Sequence, residues 1–76
     1  MGGLCLKLLP FQFKGLPDRI CLLPGGIIFF VELKSPGEDL TKMQQFVIGK
    51  IKTLGFNVYI IDTIEQILEI WKEQNI

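Results

Sequence analysis

Gly15-Leu16-Pro17-Asp18-Arg19-Ile20-Cys21-Leu22-Leu23-Pro24-Gly25-Gly26-Ile27-Ile28-Phe29-Phe30-Val31-Glu32-Leu33-Lys34 holds two apolar runs separated by a Pro-Gly-Gly turn. Arg19–Leu23 and Ile27–Lys34 read as the strands of a hairpin. Asp18 opens the first strand, and Glu32 and Lys34 close the second. A hairpin lays the start of one strand beside the end of its partner, so the three charged groups converge at one edge of the sheet. Glu32 and Lys34 are two residues apart and share a face. Two carboxylates at such an edge can hold a hard divalent cation, Mg²⁺ or Mn²⁺, which takes oxygen ligands and keeps several waters. A lysine ammonium beside them can position water and stabilise negative charge developing on a phosphate.

The same three residues could instead form a structural salt bridge. An acidic-x-Lys triplet is common in any sequence, because about a quarter of residues are charged. The triplet gains meaning only from the residues around it.

Downstream, Ser35-Pro36-Gly37-Glu38-Asp39 reads as a turn. Thr41 and Gln44 then have capping-box spacing and open a helix. Leu40, Met43, Val47, Ile51 and Leu54 fall on one stripe, with Gln44 leaning toward the sheet from its edge. Phe46 and Ile48 flank that stripe on opposite sides, so one sheet face cannot bury both. Gly55 ends the helix, and Asn57–Ile61 reads as a fourth strand, parallel to the third through a crossover. Thr63 and Gln66 repeat the capping spacing, and Ile64, Ile67, Leu68 and Trp71 form the expected apolar face of a last helix.

Upstream, Leu4–Leu9 reads as a first strand. Phe11 and Phe13 flank Gln12 in the loop that follows, where they could cover the core or stack on bases. Lys7, Lys14 and Arg19 are candidates for contact with DNA phosphates. Both hairpin strands are apolar on both faces, which implies a sheet covered on two sides.

The 76 residues make one small domain. Cys5 and Cys21 lie in apolar strands with no secretion signal ahead of them, and they are expected to be reduced, buried small hydrophobes. No apolar run approaches membrane-spanning length, so a soluble, intracellular (cytoplasmic) protein is expected. The net charge of zero does not advertise nucleic-acid binding. The absence of histidine excludes a His-based triad or a histidine zinc site. With 49% hydrophobic residues in so short a chain, a homodimer is expected to supply missing core.

Taken together, Lys14-Gly15-Leu16-Pro17-Asp18-Arg19, Val31-Glu32-Leu33-Lys34-Ser35-Pro36-Gly37, Leu40-Thr41-Lys42-Met43-Gln44 and Leu54-Gly55-Phe56-Asn57-Val58-Tyr59-Ile60-Ile61-Asp62 resemble the PD-(D/E)XK nuclease superfamily. More narrowly, they resemble the VRR-NUC domain in its short stand-alone phage-like form. The resemblance implies an α/β, restriction-endonuclease-like core with a mixed four-stranded sheet in the order βββαβα. It implies a metal-dependent endonuclease acting on branched DNA such as four-way junctions. Asp18, Glu32 and the Leu33 carbonyl would hold Mg²⁺ or Mn²⁺, Lys34 would position the attacking water, and Gln44 would orient groups around it. The family usually begins with a helix carrying a further Glu, whereas here Met1-Gly2-Gly3 leads directly into the first strand. A DNA-binding or assembly module of the same fold is the competing reading, and an unrelated α/β interaction domain is a third.

Overall fold

A computed structural model describes residues 2–9 and 13–73, except for the side chains of residues 64, 71 and 73. Four strands, β1 (Leu4–Lys7), β2 (Arg19–Leu23), β3 (Ile27–Leu33) and β4 (Asn57–Ile61), and two helices, α1 (Lys42–Thr53) and α2 (Ile64–Glu73), follow in the order βββαβα. The sheet runs β1-β2-β3-β4. Its first two pairings are antiparallel and the β3–β4 pairing is parallel, as the helical crossover requires. The expected mixed four-stranded α/β architecture is therefore present, with β1 and β3 each ending earlier than the apolar runs suggest.

Local sequence chemistry explains the boundaries. Leu23 pairs with Ile27 across the Pro24-Gly25-Gly26 turn. Thr41 caps α1 with both halves of a capping box in place. At the other end the Phe56 N–H donates to the Ile51 carbonyl and the Gly55 N–H to the Lys52 carbonyl. Those are the paired bonds of a Schellman ending, with Gly55 at the left-handed position that a side chain would strain (φ 98°).

Strand alternation divides the side chains between two faces. Ile28, Phe30, Glu32, Val58 and Ile60 lie on the face covered by α1, since Gln44 of that helix bonds Glu32. Cys21, Phe29, Val31 and Ile61 form the core of the opposite face, closed by Ile70 of α2. Phe29 meets Tyr59 edge to face, with ring centroids 5.5 Å apart.

The first helix is rotated from the orientation its apolar pattern suggests. In α1, Val47 and Ile48 are buried, whereas Met43 and Leu54 are more than half exposed. The inward stripe is thus Gln44, Val47, Ile48 and Ile51, spaced as i, i+3, i+4 and i+7. A polar residue is turned inward because it has a buried carboxylate to meet. Of the two residues expected to flank the stripe, Ile48 is core and Phe46 stands 72% exposed. In α2 the buried contact is Ile70, while Ile67 and Leu68 remain about half exposed. The expected roles of Ile64, Trp71 and Phe11 lie outside the described residues, and Phe13 is exposed. Among the described residues no helix is long and apolar enough to cross a membrane.

Candidate active site

Asp18 sits one step beyond the last β2–β3 pair, Arg19 with Val31, so the antiparallel register sets it opposite Glu32. Pro17, fully buried, anchors the backbone immediately before it. The Leu8 N–H donates to the Asp18 carbonyl, holding this end of the strand from its other side. The Asp18 carboxylate itself accepts from the Leu33 N–H at 2.8 Å. Gly15 lets the preceding segment press on α1. A Cβ there would come within 2.7 Å of the Met43 carbonyl oxygen, and its φ of +87° is one that side chains rarely adopt.

Glu32 is the singular residue of the fold, a carboxylate only 2% exposed near the end of a central strand. Its Oε2 accepts from Gln44 Nε2 at 2.8 Å and lies 3.5 Å from the Lys34 ammonium. Its Oε1 is buried and finds no hydrogen-bond partner among the described residues. Such a group normally has a partner, because an unpaired buried charge costs several kcal/mol on the order of a broken ion pair. Burial first, and the Asp18 carboxylate second, push Glu32 above the usual carboxylate range; Lys34 and hydrogen bonding pull it partly back.

Gln44 links these groups. Its Oε1 accepts from the Lys34 ammonium at 3.0 Å and from the Thr41 N–H at 2.9 Å. Its backbone N–H donates to Thr41 Oγ1 at 3.1 Å. Lys34 and the Thr41 N–H can only donate, so the amide oxygen must face them and the NH₂ must face Glu32. One side chain therefore completes the helix cap and fixes a buried carboxylate.

Asp18, Glu32, Lys34 and Gln44 are brought together. Lys14 is exposed beside Gly15, on the segment that touches α1. Lys7 and Arg19 are separated from this cluster: they pair across β1 and β2 on the other face, where Arg19 lines an apolar groove with Cys5, Cys21 and Ile70. The Leu33 side chain belongs to that other face as well. Cys21 is buried as expected, but Cys5 is exposed, because β1 is an edge strand with little packed over it. The direct apposition of the two cysteines is not legible in the sequence, since the length of the loop between β1 and β2 leaves their register undetermined.

The donor set suits a hard divalent cation. Among the described residues no group of three His, Cys, Asp or Glu converges, so two carboxylates would leave most ligand positions to water and substrate. That is how Mg²⁺ prefers to be bound. The unpartnered Oε1 and the mutual repulsion of Asp18 and Glu32 are both what a cation would relieve.

Asp18 and Glu32 meet at the end of the β2–β3 hairpin, with Lys34 two residues on from Glu32 and Gln44 closing the cluster from α1. No family model matches the chain. It is 38% identical over 63 residues, 83% of this chain and 68% of the relative, to the protein named "Putative nuclease p44" of Acyrthosiphon pisum secondary endosymbiont phage 1. It is also similar to a solved structure described as a VRR_NUC domain, with a TM-score of 0.84 and 29% identity, covering 93% of this chain and 77% of that one. The chain belongs to the VRR-NUC family of nuclease domains.

Proposed function

We propose that this chain is a metal-dependent endonuclease that hydrolyses phosphodiester bonds in branched DNA. The observation that carries the reading is Glu32, a buried carboxylate with one oxygen unpartnered among the described residues, facing Asp18 and flanked by Lys34 and Gln44. Asp18 and Glu32, with the Leu33 carbonyl between Glu32 and Lys34, would hold Mg²⁺ or Mn²⁺. The bound cation would supply Lewis-acid polarisation of the phosphoryl oxygens. Lys34, held by Glu32 and Gln44, orients the attacking water and stabilises charge growing on the phosphate. Gln44 keeps the Lys34 ammonium and the Glu32 carboxylate in one fixed arrangement, which spares reorganisation during the reaction. Lys14, exposed on the segment beside Gly15, would contact a DNA strand that enters the site.

The test is a cleavage assay with Mn²⁺ on a four-way junction and on a linear duplex of matched sequence. Incision that requires the metal and favours the junction is expected. Metal-independent DNA binding without incision would support the binding-module alternative and defeat this reading.

The branched substrate goes with a second part of the proposal, that the active form is a homodimer whose two sites face opposed strands. Met43 and Phe46 on α1, with Leu54 just beyond its end, leave apolar surface exposed, and a standard interface buries ~800 Å² on each partner. Phe46 is the largest single contributor of stranded apolar surface on α1. Phe46→Asp is expected to convert a dimer into a folded monomer by sedimentation equilibrium, with loss of paired junction cuts. A wild-type monomer at micromolar concentration would remove the dimer and leave single-site nicking.

A further inference from the structure

On the face turned away from the carboxylates, Cys5 and Cys21 stand directly opposite each other across β1 and β2, with Sγ atoms 2.8 Å apart. Two residues along the same strands on the same face, Lys7 is opposite Arg19. Like charges set opposite one another destabilise a strand pair, so this arrangement has an unexplained cost. We propose that the pair is a thiol oxidation site, at which an anionic low-molecular-weight disulfide converts Cys5 and Cys21 into a cross-strand disulfide that fastens β1 to the sheet.

The division of labour follows from exposure. Cys5 is exposed and Cys21 is buried. Burial, with the Cys5 contact, pushes the Cys21 thiol up to about 12, partly opposed by Arg19. Cys5 as thiolate therefore attacks the reagent disulfide first, forming a mixed disulfide and expelling one reagent thiolate. Cys21 then gives up its proton and attacks Cys5 Sγ, expelling the second reagent thiolate. Two electrons pass from the cysteines to the reagent, whose two thiolates take up the two protons. Lys7 and Arg19 supply the charge that gathers an anionic reagent such as oxidised glutathione at this face.

The bond matters because of where β1 lies. All four of its residues are exposed, and among the described residues its strand pairing is with β2 alone. β1 also leads into Leu8, whose N–H holds the Asp18 carbonyl. A disulfide closing the segment from Cys5 to Cys21 removes freedom from the unfolded chain and prevents the edge strand from fraying. Since the cysteines and the carboxylates lie on opposite faces, the effect is on stability and not on metal binding.

The full chain would be treated with oxidised glutathione at mildly alkaline pH. Loss of both free thiols and of two hydrogens by intact mass is expected, with Tm higher than in the reduced sample by on the order of 10 °C. Mn²⁺ binding should be unchanged. Cys5→Ser should show neither the mass change nor the Tm rise. Lys7→Gln should slow the reaction with oxidised glutathione several-fold but not the reaction with cationic cystamine. A persistent mixed disulfide on Cys5, a disulfide joining two copies, or an oxidised chain with the Tm of the reduced one would overturn the proposal. Equal slowing of both reagents by Lys7→Gln would overturn the role given to charge.

Discussion

Glu32→Gln is expected to weaken Mn²⁺ binding by on the order of 100-fold or more in calorimetry, because it removes one of two carboxylates and with it half of the ligand charge. The fold should survive, since the glutamine oxygen can still accept from Gln44 Nε2. A pH series distinguishes a ligand from a salt-bridge partner. Burial and Asp18 raise Glu32 in the folded chain. Its folded form therefore holds a proton more tightly than the unfolded chain does. That stabilising contribution is complete below the ordinary glutamate value and is lost as pH rises through the elevated one. Without metal, wild-type stability should fall across this window relative to Glu32→Gln. Saturating Mn²⁺ should flatten the difference by favouring the ionised form. Wild-type Mn²⁺ affinity in Glu32→Gln, or a pH difference that ignores metal, would sink the assignment.

The residues that could be read in advance were those governed by local rules. The hairpin, the parallel fourth strand and the α1 cap each follow from short-range chemistry: a glycine turn, a crossover length, a Thr-x-x-Gln spacing. Convergence of Asp18 with Glu32 needed only the hairpin register. What periodicity missed is the rotation of α1. Apolar spacing favours a stripe through Met43 and Leu54 with Gln44 leaning in from its edge, yet the helix turns further, so that Ile48 is core and Met43 and Leu54 are exposed. A pattern that scores hydrophobicity cannot know that a buried carboxylate is waiting on the sheet. The same limit applies to Lys7 and Arg19. Proximity in sequence suggested the site, while side-chain alternation sent Arg19 to the face opposite Asp18, its immediate neighbour. Similarly, the exposure of Cys5 follows from the edge position of β1, which only the strand order reveals.

Lys34→Ala separates chemistry from metal binding. While charged, the ammonium has no lone pair to offer a cation, so it cannot be a ligand. It donates to Gln44 Oε1 at 3.0 Å and lies 3.5 Å from Glu32 Oε2. Removing one charge stabiliser from a preorganised site costs roughly 10²–10³ in rate. Single-turnover cleavage of a junction should fall by about that factor, with DNA affinity little changed. One indirect effect must be controlled. Lys34 is among the groups that pull Glu32 back toward the carboxylate range, so its loss leaves Glu32 harder to ionise and shifts Mn²⁺ binding to higher pH. Measured at mildly alkaline pH with saturating Mn²⁺, the variant should bind metal as the wild type does and still cut slower by that factor. Cleavage at the original rate would make Lys34 a structural partner of Glu32. Metal binding lost at every pH would mean that Lys34 acts only by keeping Glu32 charged.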